Sequence, residues 1–212
     1  MSVTPSAKRL IAGENPAARL MNGLVAAVAE KGYPRTTVAD IARHARVSLR
    51  TFYEHFDSKE ACLYSCYRST AERALQQIEA AARPGDAWEK QVEASVHAFV
   101  AVVDAQPEFT RALIVQVPAI GPEGQKLRNE MHRRFADLLL DLVARAHPRT
   151  KVRELLPPDM ALTIVGGISE LLLVTLERDS KNRLQQWQAT AVNLIRRSLL
   201  LPDATPKRRR KA

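Results

Sequence analysis

Apolar residues recur at intervals of three and four along nearly the whole chain, and no stretch keeps the strict alternation of a half-buried strand. The expectation is therefore an all-α protein of about nine helices. The first runs from Pro16 to Lys31 with a stripe of Leu20, Met21, Leu24, Val25 and Val28, and Gly32 ends it as a left-handed cap. Two short helices, Val38–Ala45 and Leu49–Phe56, follow. Longer ones are expected from Lys59 to about Arg83, Asp86 to about Ala105, Pro107 to about Val117, Glu123–Ala146, Met160–Glu177 and Arg183–Leu200. Proline and glycine punctuate them at Pro84-Gly85, Pro118, Gly121-Pro122, Pro148 and Pro157-Pro158.

The stretch Thr36–Tyr64 organises the rest. Thr37 is an N-cap with Asp40 in the following turn, which suits the positive end of a helix dipole. Val38, Ile41, Ala42 and Ala45 share one face. Arg46 and Val47 make a turn, Ser48 caps the next helix, and Ser58 caps the one after. The middle helix buries Phe52 and Phe56, joined in a small core by Tyr33. Its other face carries Leu49, Arg50, Thr51 and Tyr53, mostly donors able to reach a DNA backbone or base edge. Two short helices about a tight turn make a helix-turn-helix, whose second helix fits a major groove.

Charge sharpens this picture. The net charge of +9 is placed unevenly: nine Lys/Arg against six Asp/Glu in residues 1–60, and five against one in residues 203–212, which leaves +2 for the 142 residues between. The excess lies where a polyanion-binding protein needs it. At 46% hydrophobic and 26% charged the chain has enough apolar content for a packed core. No apolar run is expected to approach the roughly 20 residues of a membrane span, and the N-terminus lacks a signal-peptide h-region. A cytoplasmic protein with no membrane partner is expected. Cys62 and Cys66, four apart on one helix, read as small packed residues in a reduced compartment, with a redox or metal sensor as the alternative. No cofactor or metal is expected. An enzyme is not expected either: there is no nucleophile elbow, phosphate-cradling glycine loop or metal-ligand cluster, and His97 and His132 have no evident catalytic partners.

Gly32-Tyr33, Thr36-Thr37-Val38, Asp40-Ile41-Ala42, Val47-Ser48, Thr51-Phe52-Tyr53, His55-Phe56 and Ser58-Lys59-Glu60 occur in an order and spacing that resemble the TetR family of bacterial transcriptional regulators. The resemblance covers the N-terminal quarter. It departs from the family pattern at Arg46, where glycine is usual, and a residue with a Cβ in a left-handed turn costs about 1 kcal/mol or more. Arg46 is either an added phosphate contact or a solvated turn residue. The resemblance implies a three-helix N-terminal helix-turn-helix DNA-binding domain and a larger helical C-terminal ligand-binding and dimerisation domain. The division expected is a flexible arm at 1–14, the DNA-binding domain at 15–60, the effector and dimerisation domain at 61–201 and a basic tail at 202–212. Arg50 is the expected reader of a guanine edge and Leu49 of a thymine methyl. Ser48, Thr51, Tyr53, His55 and Lys59 match family positions that mostly hold the phosphate backbone, and Thr37 is expected to do the same with the N-terminal amides of its helix.

Met160–Glu177 is apolar nearly all round, and such a helix has to be buried on every side. Either the segment is the central core helix of a monomer or, as the favoured reading, a partner chain is expected to supply the cover, with Ile164, Gly167 and Leu171 meeting Trp187, Ala191, Leu194 and Ile195 in a four-helix interface about a two-fold axis. The partners expected are thus a double-stranded DNA operator, a second copy of the chain and a small apolar effector. The effector pocket is expected at Trp88, His97, Phe99, Phe109, Leu113, Met131, Phe135, Leu139 and Ile168, with His132 a further polar handle. The competing reading keeps the fold but acts through protein partners or non-specific DNA binding, with no effector.

Overall fold

The computed structural model describes residues 15–148, 151, 156–177 and 182–199. Among them are nine helices and no strand: α1 (Pro16–Lys31), α2 (Val38–Ala45), α3 (Leu49–His55), α4 (Lys59–Ala81), α5 (Trp88–Ala105), α6 (Pro107–Ala119), α7 (Pro122–Ala146), α8 (Pro158–Glu177) and α9 (Arg183–Arg197). The expected all-α class is therefore observed, with boundaries shifted by a few residues. Pro118 lies inside the last turn of α6 rather than ending it. Gly32 closes α1 with φ 77° but ψ 155°, so it is not a left-handed helical cap; it turns the chain straight into extended backbone. The arm at 1–14 and the basic tail at 202–212 lie outside the described residues.

Two apolar cores share the molecule. The first gathers Leu20, Leu24, Ile41, Phe52 and Phe56 from α1–α3 and the turn after them, and Tyr33 drops into it as expected. It does not stop at residue 60. Leu63 and Cys66 of α4, Phe109 and Val117 of α6 and Leu127 and Met131 of α7 belong to the same cluster. A unit of some 45 residues buries too little surface to stand alone, and here it is completed by the helices of the body. The second core lies between α5, α7, α8 and α9 around Val92, Val143, Leu172 and Trp187.

Helix α4 joins the two. Arg68, Glu72 and Glu79 pair in order with Glu130, Arg134 and Arg145, at 2.8, 3.1 and 3.5 Å, so α4 and α7 run side by side in the same direction. All six side chains are part-exposed, which keeps each pair a small stabilising term. Their larger effect is to fix the register of one helix against the other.

Two glycines set closer approaches than side chains would allow. A Cβ at Gly23 would lie 2.6 Å from the Ile41 carbonyl oxygen, so glycine is what lets α1 and α2 meet. A Cβ at Gly124 would overlap the Val117 carbonyl, where the start of α7 folds back on the end of α6. Cys62 and Cys66 are both fully buried, and burial pushes the Cys66 thiol above its usual range, as expected of packed, unreactive residues.

Helix α8 corrects the sequence reading in one respect. Its 20 residues are long and apolar enough to cross a membrane by length and composition, contrary to the expectation that no stretch would be. Within one chain it is not buried on every side, unlike the central core helix of a monomer: Met160 and Val174 are 45% and 40% exposed, and Gly167 is exposed beside them.

Candidate nucleic-acid interface and ligand cavity

Helix α2 starts in a capping box. The Asp40 N–H donates to Thr37 Oγ1 at 3.3 Å and the Thr37 N–H to the Asp40 carboxylate at 2.8 Å. Lys31 pairs with the same carboxylate at 2.5 Å, and these contacts hold the Asp40 carboxyl well below the usual range. At its other end the helix closes on Arg46, which takes φ 55° and ψ 48°, the left-handed conformation that glycine reaches without strain. The Val47 N–H donates to the Ala42 carbonyl at 3.0 Å and the Arg46 N–H to the Arg43 carbonyl at 3.2 Å. From α1 the Arg19 guanidinium donates to the Ala45 and Arg46 carbonyls, both at 2.8 Å. Four hydrogen bonds therefore fix the turn, and no local pattern in the sequence signals the Arg19 contribution.

Ser48 caps α3, its Oγ accepting the Thr51 N–H at 3.0 Å, and the two hydroxyls share a further bond at 2.9 Å. One side of α3 is anchored by Phe52, fully buried and packed against Phe56. The other side faces solvent. Leu49 is 49% exposed, Tyr53 58%, and the Arg50 side chain 89%, with Glu54 beside it at 3.1 Å. Arg46, Ser48 and His55 are also exposed and Thr51 is half-buried. Thr37 is exposed at the start of α2. The outward set is thus a cation on a long stem, an aromatic, an aliphatic and several hydroxyls, held on a rigid helix.

Lys59, expected at a phosphate, also has contacts within the chain. Its ammonium donates to the Thr36 and Tyr33 carbonyls at 3.0 and 3.3 Å and lies 4.3 Å from the centre of the Tyr33 ring. It ties the α1–α2 loop to the start of α4.

A cavity of about 190 Å³ lies in the helical body between α4, α5, α6, α7, α8 and α9. Of the residues expected to line a pocket, Trp88, Phe99, Leu113, Phe135, Leu139 and Ile168 do so. His97 does not: it is exposed on α5. Phe109 and Met131, 1% and 0% exposed, turn instead into the first core. His132 does line the wall, and burial holds its pKa down at about 4. The expected dimer residues divide in the same way. Ile164, Trp187 and Ala191 face the chain's own core and the cavity, and Ile195 also reaches the cavity wall. Gly167, Leu171 and Leu194 remain on or near the surface, joined by Met160 and Val174, which the apolar pattern alone did not separate from the inward side.

Residues 20–66 match the model for bacterial regulatory proteins of the tetR family. No curated protein sequence matches the chain. Among solved structures the fold is similar to the fatty acid degradation regulator FadR from Bacillus halodurans, at 20% identity and a TM-score of 0.73 over 87% of this chain and 96% of that one. It is similar to FadR from Bacillus subtilis, solved in complex with stearoyl-CoA, at 17% identity and a TM-score of 0.68 over 84% and 96%. The TetR family transcriptional regulator PfmR from Thermus thermophilus matches at 18% identity and a TM-score of 0.61 over 84% and 97%.

Proposed function

We propose that this chain, which carries the N-terminal domain of the tetR family of bacterial regulatory proteins on that family's all-helical fold, is a transcriptional repressor released from its operator by an apolar ligand. The observation that carries the DNA-binding part is the solvent face of α3, where Leu49, Arg50 and Tyr53 project from a helix locked by Ser48 and Phe52. Large exposed side chains on a seven-residue helix suit a groove of stacked base edges. Arg50 reads a guanine through two parallel hydrogen bonds, Leu49 meets a thymine methyl, and Tyr53, Thr51, Ser48, His55, Thr37 and Arg46 hold phosphates. In this reading residues 15–60 form the DNA-binding domain and 61–201 the effector and dimerisation domain.

One helix reads too few base pairs for a unique address, so the reading includes a homodimer on a near-palindrome, with reading helices about 34–36 Å apart. The half-exposed side of α8, with Met160, Gly167 and Val174, and Leu194 of α9 would meet their copies across the two-fold axis. The cavity supports a ligand with an extended hydrocarbon part, the kind of group that the Bacillus subtilis relative takes as stearoyl-CoA. Ala71 and Leu113 belong both to the cavity wall and to the core beneath the helix-turn-helix. A ligand that shifts α4 against α7 would therefore change the spacing of the two reading helices.

The test is selection of bound sequences from a random duplex pool, followed by footprinting at two salt concentrations. A selected near-palindrome with half-sites one turn apart is expected, with the Arg50→Ala variant losing about 1–3 kcal/mol and relaxing preference at one position per half-site. Equal losses on selected and random DNA would remove the base-reading role. Failure to select any sequence would refute the regulator reading.

A further inference from the structure

Resting on the reading of the cavity as the effector site, we infer that its ligand is an uncharged amphiphile: an extended hydrocarbon chain ending in a single neutral oxygen group, with that group seated at the Thr70 end. Along α4 the wall runs from Tyr67 to Ile78, which at helical rise is about 16 Å, room for an extended chain of roughly a dozen carbons. Among the described residues, no Asp, Glu, Lys or Arg lines it. A carboxylate or ammonium placed inside would lose its hydration without gaining a counter-ion, a penalty that neutralises the group rather than burying it charged.

Apart from Ser169 on α8 and the Trp187 indole, whose Nε1 donates to the Ile168 carbonyl at 3.3 Å, the polar groups of the wall are divided unevenly between its two ends. Tyr67, Thr70, Thr110 and His132 gather at the end toward the DNA-binding core. Thr70 Oγ1 is buried there without a hydrogen-bond partner, an arrangement that favours an incoming donor or acceptor. At the far end Gln91 donates to the Asp86 carbonyl at 2.8 Å and Ser95 to the Ile78 carbonyl at 3.5 Å, so both are engaged, and Trp88 Nε1 is the remaining orphan donor. One lone donor is a weaker seat than a cluster that offers hydroxyls and an imidazole. Burial keeps His132 neutral at physiological pH and raises the Tyr67 phenol, so neither titratable wall residue supplies a charge. Arg128 acts on both through space but is not part of the wall.

The molecule carries its own reporter, because both of the chain's tryptophans, Trp88 and Trp187, line the cavity. The experiment titrates the full-length protein, without DNA, with 1-decanol, sodium decanoate and decylamine, following tryptophan emission from about pH 5.5 to about pH 7.5, a range in which a free carboxylic acid is mostly ionised. Decanol should saturate with an affinity independent of pH. Decanoate should bind only through its protonated fraction, weakening about tenfold per pH unit, and decylamine should be weakest throughout. Thr70→Val, of nearly the same shape, should weaken decanol binding about five- to tenfold, the loss of one hydrogen bond, while leaving the fold intact by thermal melting. Decanoate binding as tightly as decanol at the top of that pH range would overturn the uncharged ligand, and unchanged decanol binding in Thr70→Val would overturn the placement of its head. No response to any of the three would overturn the amphiphile itself. None of these outcomes depends on DNA, so the regulator reading fails separately, when sequence selection finds no operator.

Discussion

Replacing Arg46 by glycine should make this protein more stable and bind DNA less tightly. Arg46 is the one non-glycine residue with positive φ among the described residues. A left-handed conformation costs an L-residue with a Cβ roughly 1–2 kcal/mol. Glycine removes that strain but loses about 0.5–1 kcal/mol more chain entropy on folding. The net gain is about 0–1.5 kcal/mol with a midpoint of about 0.75, which corresponds to about 2–3 °C in Tm for a chain of this length. The bonds that fix the turn are unaffected, since Arg19 and Val47 contact backbone carbonyls and the Arg46 N–H is retained. Arg46→Ala is the matched control, because it removes the cation but keeps the Cβ. Differential scanning calorimetry should rank glycine above alanine, with alanine near the parent. On DNA the two variants should behave alike, each lowering the slope of log affinity against log salt by about 0.9 if Arg46 meets one phosphate. A glycine variant no more stable than the alanine variant would refute the strain argument. An unchanged salt slope in both would return Arg46 to the role of solvated turn residue.

Other substitutions test the scaffold. Lys59→Ala should lower stability by about 1–3 kcal/mol, since it removes two charge-assisted hydrogen bonds and the contact with the Tyr33 ring; an unchanged urea midpoint would show that the tie is not made in solution. Gly124→Ala forces α7 away from the Val117 carbonyl and should cost about 1–3 kcal/mol or more, read by thermal melting. His132 gives a pH signature. Its folded pKa of about 4 lies below the ordinary 6.5, so the unfolded chain binds the extra proton between these values. The contribution is full above pH 6.5, falls as pH drops from 6.5 to about 4, and levels off below. Urea midpoints at about pH 7 and about pH 5, on either side of the ordinary histidine value, should therefore differ less in His132→Gln than in the parent. The Asp40 carboxyl, held low by Lys31 and Thr37, contributes its loss only below the usual carboxylate range, so it does not blur that window.

The features whose physics is local could be read before folding. Three- and four-residue periodicity specified the helices, and Thr37, Ser48 and Ser58 marked three starts that are observed as capped N-termini. The pairing of buried Phe52 with outward Arg50 and Tyr53 follows from helical geometry over a few residues, so the candidate DNA face was legible before any coordinates. Whatever depends on distant neighbours became visible only in the packed chain. Nothing near Arg19 in sequence says that it will cap α2, twenty-six residues on. Gly23 lies within the inward stripe of α1, a visible hint, but only the crossing with α2 shows why it has no side chain. Lys59 and Arg50 are both cations near the same motif; one is half-buried and donates to backbone carbonyls while the other extends into solvent beside Glu54, a distinction set by how the α1–α2 loop folds over α4. The same holds in the body. Phe109, Met131 and Phe135 look alike as apolar helical positions, yet two complete the core under the helix-turn-helix and the third lines the cavity. Periodicity states that a residue faces inward; which of two interiors it enters is fixed by how whole helices pack.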